Sequence, residues 1–312
     1  PSDVVELWQD DVTVSASGPS GATAAAHFTA VMNIQPLAAD PSIGGSTTDW
    51  RDIPDLTNAS GLVIERMLGG SPVVRVAFKQ PLDLCGASTP AAVASIGALL
   101  KTGRGSVYLD IDAIPALNAS AEVRMFGLTD YGRPGILVNG VPTVMVGQTS
   151  GGPVSGLAWL PVSGELAFEV SSWAEFVADG IAPYAVSVSM AEGQFTPNPA
   201  PTITFRVNDT ISGVDASTAV FAFDGNSTGL QVNLTGGRAS GWYITSTANP
   251  LPDGMHIASV RVYDSIGNAA LLTVSFYVDT TPPQISGQFP TAGLLTRETR
   301  LQAVASFSDL LS

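Results

Sequence analysis

Side chains that could carry out catalytic chemistry are few and widely separated in this sequence. The two histidines, His27 and His256, fall in different predicted domains. A hydrolytic zinc centre needs several ligands converging on one site, and these two residues do not predict one. Ser227 lies in "GNSTG", which matches the G-x-S-x-G pattern of a nucleophile elbow. That elbow requires a strand before it and a helix after it, whereas a hairpin turn and another strand are predicted here.

Three other reactive side chains also favour structural roles. Asp110 and Asp112 are spaced to project from one face of a strand, as glycosidase carboxylates can, but the same spacing is common on solvated strand faces. Cys85 is the single cysteine, which excludes an intramolecular disulfide and indicates a small, buried apolar side chain. No glycine-rich phosphate loop opens a helix after a strand. We therefore expect no catalytic residues and no enzymatic activity.

Composition and charge exclude two classes of partner. The formal net charge is −14, with only 13 lysines and arginines, so the clustered cations that bind a phosphate backbone are missing. No apolar run approaches the roughly 18–20 residues that span a bilayer, so no transmembrane segment is expected. The 32 glycines and 22 prolines, with 13% charged residues, favour a turn-rich, all-β protein. A length of 312 residues predicts at least two domains.

Short β-type runs alternate with turn signals from residue 184 onward. The runs are "YAVSVSM", "PTITFRV", "TAVFAF", "GLQVNL", "GWYITS", "HIASVRVY" and "LLTVSFYV". Turn dipeptides separate them, among them Asp224-Gly225. Seven strands in about 95 residues predict an immunoglobulin-like (Ig-like) β-sandwich over residues 179–283.

This region also resembles a known family. The segments "NDTISGVDAST" and "PDGMHIASVRVYDSIGNAALLTVSFYVDTTPP" are similar to the Ig-like repeats found in tandem on archaeal and bacterial surface-layer proteins and adhesins. The shared signature is D-x-x-G-N, then a strand, then V-D-T-x-P-P. The cysteine pair and buried tryptophan of antibody domains are missing from the pattern. The resemblance implies an extracellular protein of the cell surface.

Four aspartates are predicted to meet at one pole of this sandwich. The loop after the second strand, "NDTISGVD", and the loop before the last strand, "YDSIGN", lie at the same end of a seven-strand sandwich. Asp209, Asp215 and Asp264 would there meet Asp179 of the preceding linker. Converging carboxylate oxygens suit Ca²⁺, so the pattern predicts calcium at the domain junction. The alternative is that these side chains only satisfy turn backbones.

An internal repeat indicates the nature of residues 284–312. "GQF" occurs twice, and "TITFRVNDTIS" is echoed by "RLQAVASFSDLLS". Asp279 and Asp309 repeat Asp179 and Asp209 at the same separation. We interpret the segment as the first two strands of a second Ig-like repeat. Two alternatives stay open: the chain continues beyond it, or the strands are donated to a neighbouring subunit.

Residues 1–178 are predicted to form a β-rich domain, with a split near residue 50 as an alternative. The strand-like runs are "VVELWQDDVTVSA", "HFTAVMNI", "LVIERML", "VVRVAF", "SVYLDIDAI", "AEVRMFGL", "GILVNGVPTVMV", "LAWLPV" and "LAFEVSSWAEFVA". Asn139-Gly140 predicts a type I′ hairpin. One short helix is predicted over residues 88–103, with Pro90 in its first turn and Gly103 at its end. The "VNG", "LAW" and "LAFEVSSWAEF" segments resemble archaeal surface proteins.

Asparagine sequons add a second indication of secretion. The Asn-x-Ser/Thr pattern occurs at Asn58, Asn118, Asn208, Asn226 and Asn233. This pattern is the acceptor of N-linked glycans in secreted proteins. We therefore expect N-glycans on this chain.

Three classes of function remain open at this stage. The first is a structural subunit of an extracellular assembly such as a surface layer, sheath or filament, whose copies associate through exposed edge strands. The second is an adhesin or ligand-binding stalk with the first domain as its head. The third is an accessory region of a secreted enzyme. The lack of converging reactive groups favours the first, although the fold alone does not decide.

Overall fold

The computed structural model describes residues 9–17, 23–31, 42–49, 52–84, 96–290, 292–293, 295 and 297–309. Regular structure in these residues is almost entirely β-strand, which confirms the predicted all-β fold of sandwich domains. The chain divides into two compact units, Pro1–Ile181 and Ala182–Ser312. The predicted boundary after residue 178 lies close to this division, and the segment 284–312 falls in the second unit.

The first unit is built from antiparallel strands. Its strands are β1 (Gln9–Ser17), β2 (Thr23–Val31), β3 (Val63–Leu68), β4 (Ser71–Phe78), β5 (Leu100–Gly103), β6 (Ser106–Leu109), β7 (Ala121–Met125), β8 (Gly135–Val138), β9 (Val141–Val144), β10 (Val154–Leu160), β11 (Glu165–Val170) and β12 (Phe176–Asp179). β1 pairs with β2. The other strands form two five-stranded sheets, in the orders β10-β11-β7-β4-β3 and β5-β6-β12-β8-β9. Short 3-10 turns cover Leu56–Asn58 and Pro115–Leu117, and helix α1 covers Ile96–Leu99.

The core of this unit follows from alternation of side chains along its strands. In β11, Leu166, Phe168 and Val170 are buried, and the residues between them are less so. The Phe168 ring packs on Phe176 with centroids 5.8 Å apart. Trp173 is also buried, and its indole Nε1 donates to the Ala119 carbonyl oxygen at 3.1 Å. A tryptophan whose polar edge has a partner can fill a core without an unpaired donor.

Two local predictions in this unit were wrong in extent. The helix predicted over 88–103 ends at Leu99, because Leu100–Gly103 instead pairs with β6 and buries Leu100. Residues 85–95, which include Cys85, lie outside the described residues. The run "SVYLDIDAI" stops being a strand at Leu109. The cause is a turn in which Asp110 Oδ1 accepts a hydrogen bond from Ala113 N at 3.2 Å.

The predicted type I′ hairpin is confirmed. Asn139 and Gly140 have φ values of 50° and 75° and connect β8 to β9. Both central residues of a type I′ turn need positive φ, which asparagine and glycine adopt at the lowest cost.

The second unit begins with a seven-strand pattern to which one short strand is added. Its strands are β13 (Tyr184–Val188), β14 (Gln194–Thr196), β15 (Thr202–Asn208), β16 (Val214–Phe223), β17 (Asn233–Gly237), β18 (Gly241–Thr247), β19 (Gly254–Asp264), β20 (Ala269–Val278), β21 (Gln284–Phe289) and β22 (Val304–Ser308). One sheet has the order β13-β15-β18-β17, and the facing sheet has the order β14-β20-β19-β16. With the seven predicted strands named A to G, these are the ABED and CFG sheets of an Ig-like sandwich.

Strand β14 was not predicted. It runs parallel to β20, and Glu192 before it accepts hydrogen bonds from Ser275 N at 3.2 Å and from Ser275 Oγ. Gly193 N also donates to the Ser275 carbonyl oxygen at 2.9 Å. Three residues are too few to show a period-two pattern, so only these tertiary contacts define the strand.

Large apolar side chains from both sheets fill this sandwich. Ile203, Phe205 and Val207 of β15 are fully buried, and the Phe205 ring meets Phe221 of β16 edge-on at 5.7 Å. Alternation along β15 places these three residues on one face. β21 and β22 form a separate two-stranded sheet.

Candidate functional site

The turn between β19 and β20 is organised around one buried carboxylate. Asp264 is the last residue of β19 and is 2% exposed. Its Oδ1 accepts hydrogen bonds from the backbone N–H groups of Ile266, Gly267 and Asn268 at 3.0, 2.7 and 2.8 Å. Its Oδ2 accepts from Asn268 Nδ2 at 2.7 Å. Both oxygens thus hold the D-x-x-G-N segment in its turn.

Asp209 plays a similar role in the loop between β15 and β16. It is 3% exposed, and its Oδ1 accepts from Ile211 N at 3.0 Å and from Gly213 N at 2.8 Å. Gly213 has φ of +84°, and a Cβ placed there would lie 3.1 Å from the Arg238 side chain. A glycine is therefore required at this point of the loop.

These two loops meet at one end of the sandwich, as the sequence predicted. Ser265 N and Ser265 Oγ both donate to the Gly213 carbonyl oxygen, at 2.8 and 3.0 Å. A carboxylate oxygen of Asp209 lies within 4.8 Å of one of Asp264. Two buried carboxylates therefore lie close together in the second unit.

The electrostatics of Asp209 reflect this environment. Burial raises the pKa of Asp209 above its ordinary value, because a charge is poorly solvated there. The hydrogen bonds from Gly213 and Ile211 act in the opposite direction, and the neighbouring Asp264 carboxylate adds to the rise. A cation bound to the pair would offset both the burial and the like charge. Carboxylate and amide oxygens are the ligands that Ca²⁺ takes in proteins.

Asp215 does not belong to this pair, so its predicted place in the site was wrong. It lies at the start of β16, opposite Tyr263, and its neighbour Val214 points into the core. Since successive side chains alternate, Asp215 points away from the core. Its Oδ1 accepts from Ser217 N at 3.1 Å and from Ser217 Oγ at 2.5 Å.

Asp179 lies in the first unit, where it is the last residue of β12 and is fully buried. Its Oδ1 accepts a hydrogen bond from Ile181 N at 3.0 Å. The pKa of Tyr131 is raised chiefly by burial; Arg104 lowers it and Asp179 raises it further. That Asp179 joins a calcium site at the domain junction stays a prediction.

His256 is engaged by acceptors at both ring nitrogens. Nδ1 lies 2.7 Å from Asp224 Oδ2, and Nε2 lies 2.8 Å from the Pro252 carbonyl oxygen. Asp224 Oδ1 also accepts from Ile257 N at 2.8 Å. A histidine that acts as a general base needs one ring nitrogen within reach of the proton it abstracts. Both ring nitrogens of His256 instead contact acceptors of the sandwich, and Nε2 holds the β18–β19 connection, which agrees with the structural role expected for His256.

The remaining reactive residues do not converge with it. Ser227 lies in the turn after β16, where Asn226 Oδ1 accepts from Thr228 N at 2.9 Å. A tight turn with an isolated bridge between Phe223 and Asn226 precedes Ser227, and the next strand, β17, belongs to the other sheet, so no strand–elbow–helix arrangement surrounds Ser227. Asp112 is exposed in the turn after β6, so Asp110 and Asp112 do not share a strand face. His27 lies in β2, opposite Thr13.

The sequons differ in accessibility. Asn58, Asn118, Asn226 and Asn233 are exposed, whereas Asn208 is half-buried in β15 opposite Tyr184. Asn118 Oδ1 accepts from Trp173 N at 3.3 Å. Glycosylation at any of them stays a prediction.

Sequence reasoning missed two residues that shape the paired-aspartate loops. Asn268 donates its amide to Asp264, although it was quoted only as part of a family signature. Arg238 lies in the β17–β18 turn, and its Nη2 donates to the Ile211 carbonyl oxygen at 2.8 Å. The D-x-x-G-N spacing could have indicated Asn268, whereas nothing local in the sequence points to Arg238.

A cavity of about 410 Å³ lies in the first unit beside the β3–β4 and β5–β6 turns. Its lining includes Arg66, Arg104 and apolar side chains such as Phe126. Arg66 Nη1 donates to Ser42 Oγ. Arg104 forms an ion pair with Asp130 and lies 5.4 Å from the Tyr131 ring centroid. The cavity therefore combines apolar surface with two guanidinium groups.

Comparisons with known proteins give no family. No protein-family model and no curated protein matches the chain. Among solved structures, it is similar to CopC from Methylosinus trichosporium OB3b, with 19% identity over 31% of this chain and 93% of that chain, and a TM-score of 0.25. It is also similar to dimeric latent PorU from Porphyromonas gingivalis, with 14% identity over 55% of this chain and 23% of that chain, and a TM-score of 0.28. Likenesses this weak carry no argument about function.

Among the described residues, no helix combines the length and the hydrophobicity needed to cross a bilayer.

Proposed function

We propose that this chain is a structural subunit of an extracellular cell-surface assembly, such as a surface layer, sheath or filament, built from β-sandwich modules in series. The observation that carries the proposal is how the polar groups of the second unit are used. The ring of His256 and the carboxylates of Asp209 and Asp264 all hold loops of the sandwich in place. The sequence resemblance to surface-protein repeats and the exposed sequons support an extracellular location.

Association between copies is proposed to use the edges of the sheets. β16 is an edge strand of the second unit, and it exposes Val220. An edge strand presents unpaired backbone groups that another strand can extend. β19 offers a matched comparison, because it lies in the same sheet and exposes Ile257 but has β16 on one side and β20 on the other. Ile257 itself pairs with Ser275 of β20, and its carbonyl oxygen accepts from Asp224 N after β16.

Electron microscopy of the purified chain tests the proposal directly. We expect ordered lattices or filaments as the protein concentration rises. Val220→Lys should weaken them because a lysine on an edge strand opposes pairing, whereas Ile257→Lys should leave them unchanged. A chain that stays monomeric under all conditions would contradict the structural role. Equal effects of the two lysines would contradict pairing through β16.

We further propose that the loops bearing Asp209 and Asp264 bind Ca²⁺. Support comes from their burial, the short separation of their carboxylates and the raised pKa of Asp209. Calcium should raise the melting temperature of the chain, since a ligand at a hundred times its Kd adds about 2.7 kcal/mol of stability. Asp209→Asn should reduce this shift, and Asp215→Asn should not. No shift at about 10 mM Ca²⁺, above the Kd of weak extracellular sites, would refute the site.

The alternative of a ligand-binding stalk is favoured by one observation, the cavity beside Arg66 and Arg104. Apolar pockets with a few convergent polar groups are the usual form of small-molecule sites. A glycan array probed with the purified chain tests this alternative. Binding that is lost in Arg104→Gln would favour it over a purely structural role.

A further inference from the structure

β21 and β22 pair in the same register as β13 and β15, at positions one hundred residues later. The pairs Tyr184↔Asn208, Ala185↔Val207, Ser187↔Arg206 and Val188↔Phe205 recur as Gln284↔Ser308, Ile285↔Phe307, Gly287↔Ser306 and Gln288↔Ala305. The irregularity in the first pairing falls between Ala185 and Ser187, and in the second between Ile285 and Gly287. The two hairpins therefore share both their register and the position of their bulge.

The first of these hairpins is covered on two sides. The second edge of β15 pairs with β18, from Thr202↔Thr247 to Val207↔Trp242. Its inner face, which consists of Ile203, Phe205 and Val207, is 0% exposed in the core. β15 is thus an interior strand with one edge occupied by β13 and the other by β18.

The second hairpin lacks both kinds of cover. Within the described residues, the sheet that contains β22 has only β21 as a second strand. Phe307, the counterpart of Val207, is 67% exposed, and its partner Ile285 is 60% exposed. An isolated two-stranded hairpin is marginally stable in water, because it buries too little apolar surface.

We propose that the β21–β22 hairpin is a docking surface for the remaining strands of an Ig-like module, of the kind that β16 to β20 supply to the first sandwich. A strand equivalent to β18 would run antiparallel along the free edge of β22. An opposing sheet would cover Phe307 and Ala305. This inference rests on the proposed arrangement of modules in series.

A second copy of this chain fits the surface less well. Pairing two hairpins edge to edge would extend the sheet but leave the face with Phe307 and Ile285 exposed. In each copy, β3 to β20 already belong to four- or five-stranded sheets, and β1 and β2 supply only two strands. The shape of the surface therefore selects an occupant that supplies an edge strand and an opposing sheet together.

The test extends the chain with strands whose partners are known. Residues 213–283 are appended directly after Ser312, so that each added residue follows its counterpart by one hundred positions. Hydrogen exchange of β22 is then compared between the extended chain and the chain of 312 residues. We expect the β22 amides to exchange about a hundredfold more slowly in the extended chain, because they become part of a packed sheet.

Variants separate docking from other effects. Phe307→Asp should abolish the added protection, because it places an unpaired charge in the new core. Leu295→Asp, at a residue that is 96% exposed and lies in the connection between β21 and β22, outside both strands, should not. Ala303 and Ala305 are smaller than their counterparts in β15, which are Ile203 and Phe205. A second extended chain therefore carries Ala303→Ile, Ala305→Phe and Phe307→Val, so that its inner face has the same side chains as that of β15.

The outcomes are distinct. Added protection in either extended chain supports the proposal. Its absence from both, or its persistence in Phe307→Asp, overturns it. Protection of β22 that grows with protein concentration in the chain without the extension would identify a second copy as the occupant and would also overturn it. If docking fails while ordered assemblies still form, the proposed function stands without this surface.

Discussion

Replacing Asp264 with alanine should destabilise the second unit strongly. The substitution removes the carboxylate that accepts hydrogen bonds from Ile266 N, Asn268 N and Asn268 Nδ2 in a site that is 2% exposed, while Gly267 N keeps the Asp264 carbonyl oxygen as an acceptor. A hydrogen bond to a charged group contributes about 1.5–3 kcal/mol, so the loss of three costs about 6 kcal/mol. Relief of the like charge with Asp209, at a separation of up to 4.8 Å, returns about 3.5 kcal/mol at an effective dielectric of about 20. We expect a net loss of about 2.5 kcal/mol.

Hydrogen exchange measured by mass spectrometry on the full chain is the suitable assay, since it reports on each unit separately. A loss of about 2.5 kcal/mol should accelerate exchange of the slowest amides in β15, β18 and β19 roughly seventyfold. Asp215→Ala is the matched control, because this aspartate also closes a turn but points away from the core. A loss below about 1 kcal/mol for Asp264→Ala, or equal losses for both variants, would refute the reasoning.

Two further predictions concern pH and the core. Asp209 has a raised pKa in the folded chain, so the folded state binds this proton more tightly than the unfolded state does. Stability of the second unit should therefore fall as pH rises from about 3.9 through the raised pKa, and Asp209→Asn should remove that fall in urea unfolding measured across this range. An unchanged pH profile would contradict the assignment. Trp173→Phe should cost about 1–3 kcal/mol in the first unit, because the Ala119 carbonyl oxygen loses its buried donor. Denaturant unfolding followed by circular dichroism measures it, and a neutral substitution would show that water replaces the indole.

Periodicity in the sequence was sufficient to locate most strands. Alternating runs such as "TITFRV" and "LAFEV" indicate that one face of the strand is buried, whichever sheet the strand joins, because the side-chain period of a strand is two. The order of strands and the closeness of the two loops bearing Asp209 and Asp264 also followed from the sequence, since seven strands of this spacing have a preferred topology. The turn at Asn139-Gly140 was predictable for a local reason, the positive φ that both residues tolerate.

Tertiary structure decided the rest. The end of the helix at Leu99 depends on the pairing of β5 with β6, and β14 exists through its contacts with Ser275, which is distant in sequence. The exclusion of Asp215 from the aspartate pair depends on which face of β16 meets the core. Local sequence indicates what a segment prefers by itself. Which neighbour satisfies a buried carboxylate or an unpaired edge is decided only when distant segments pack together, because burial and pairing are properties of that packing.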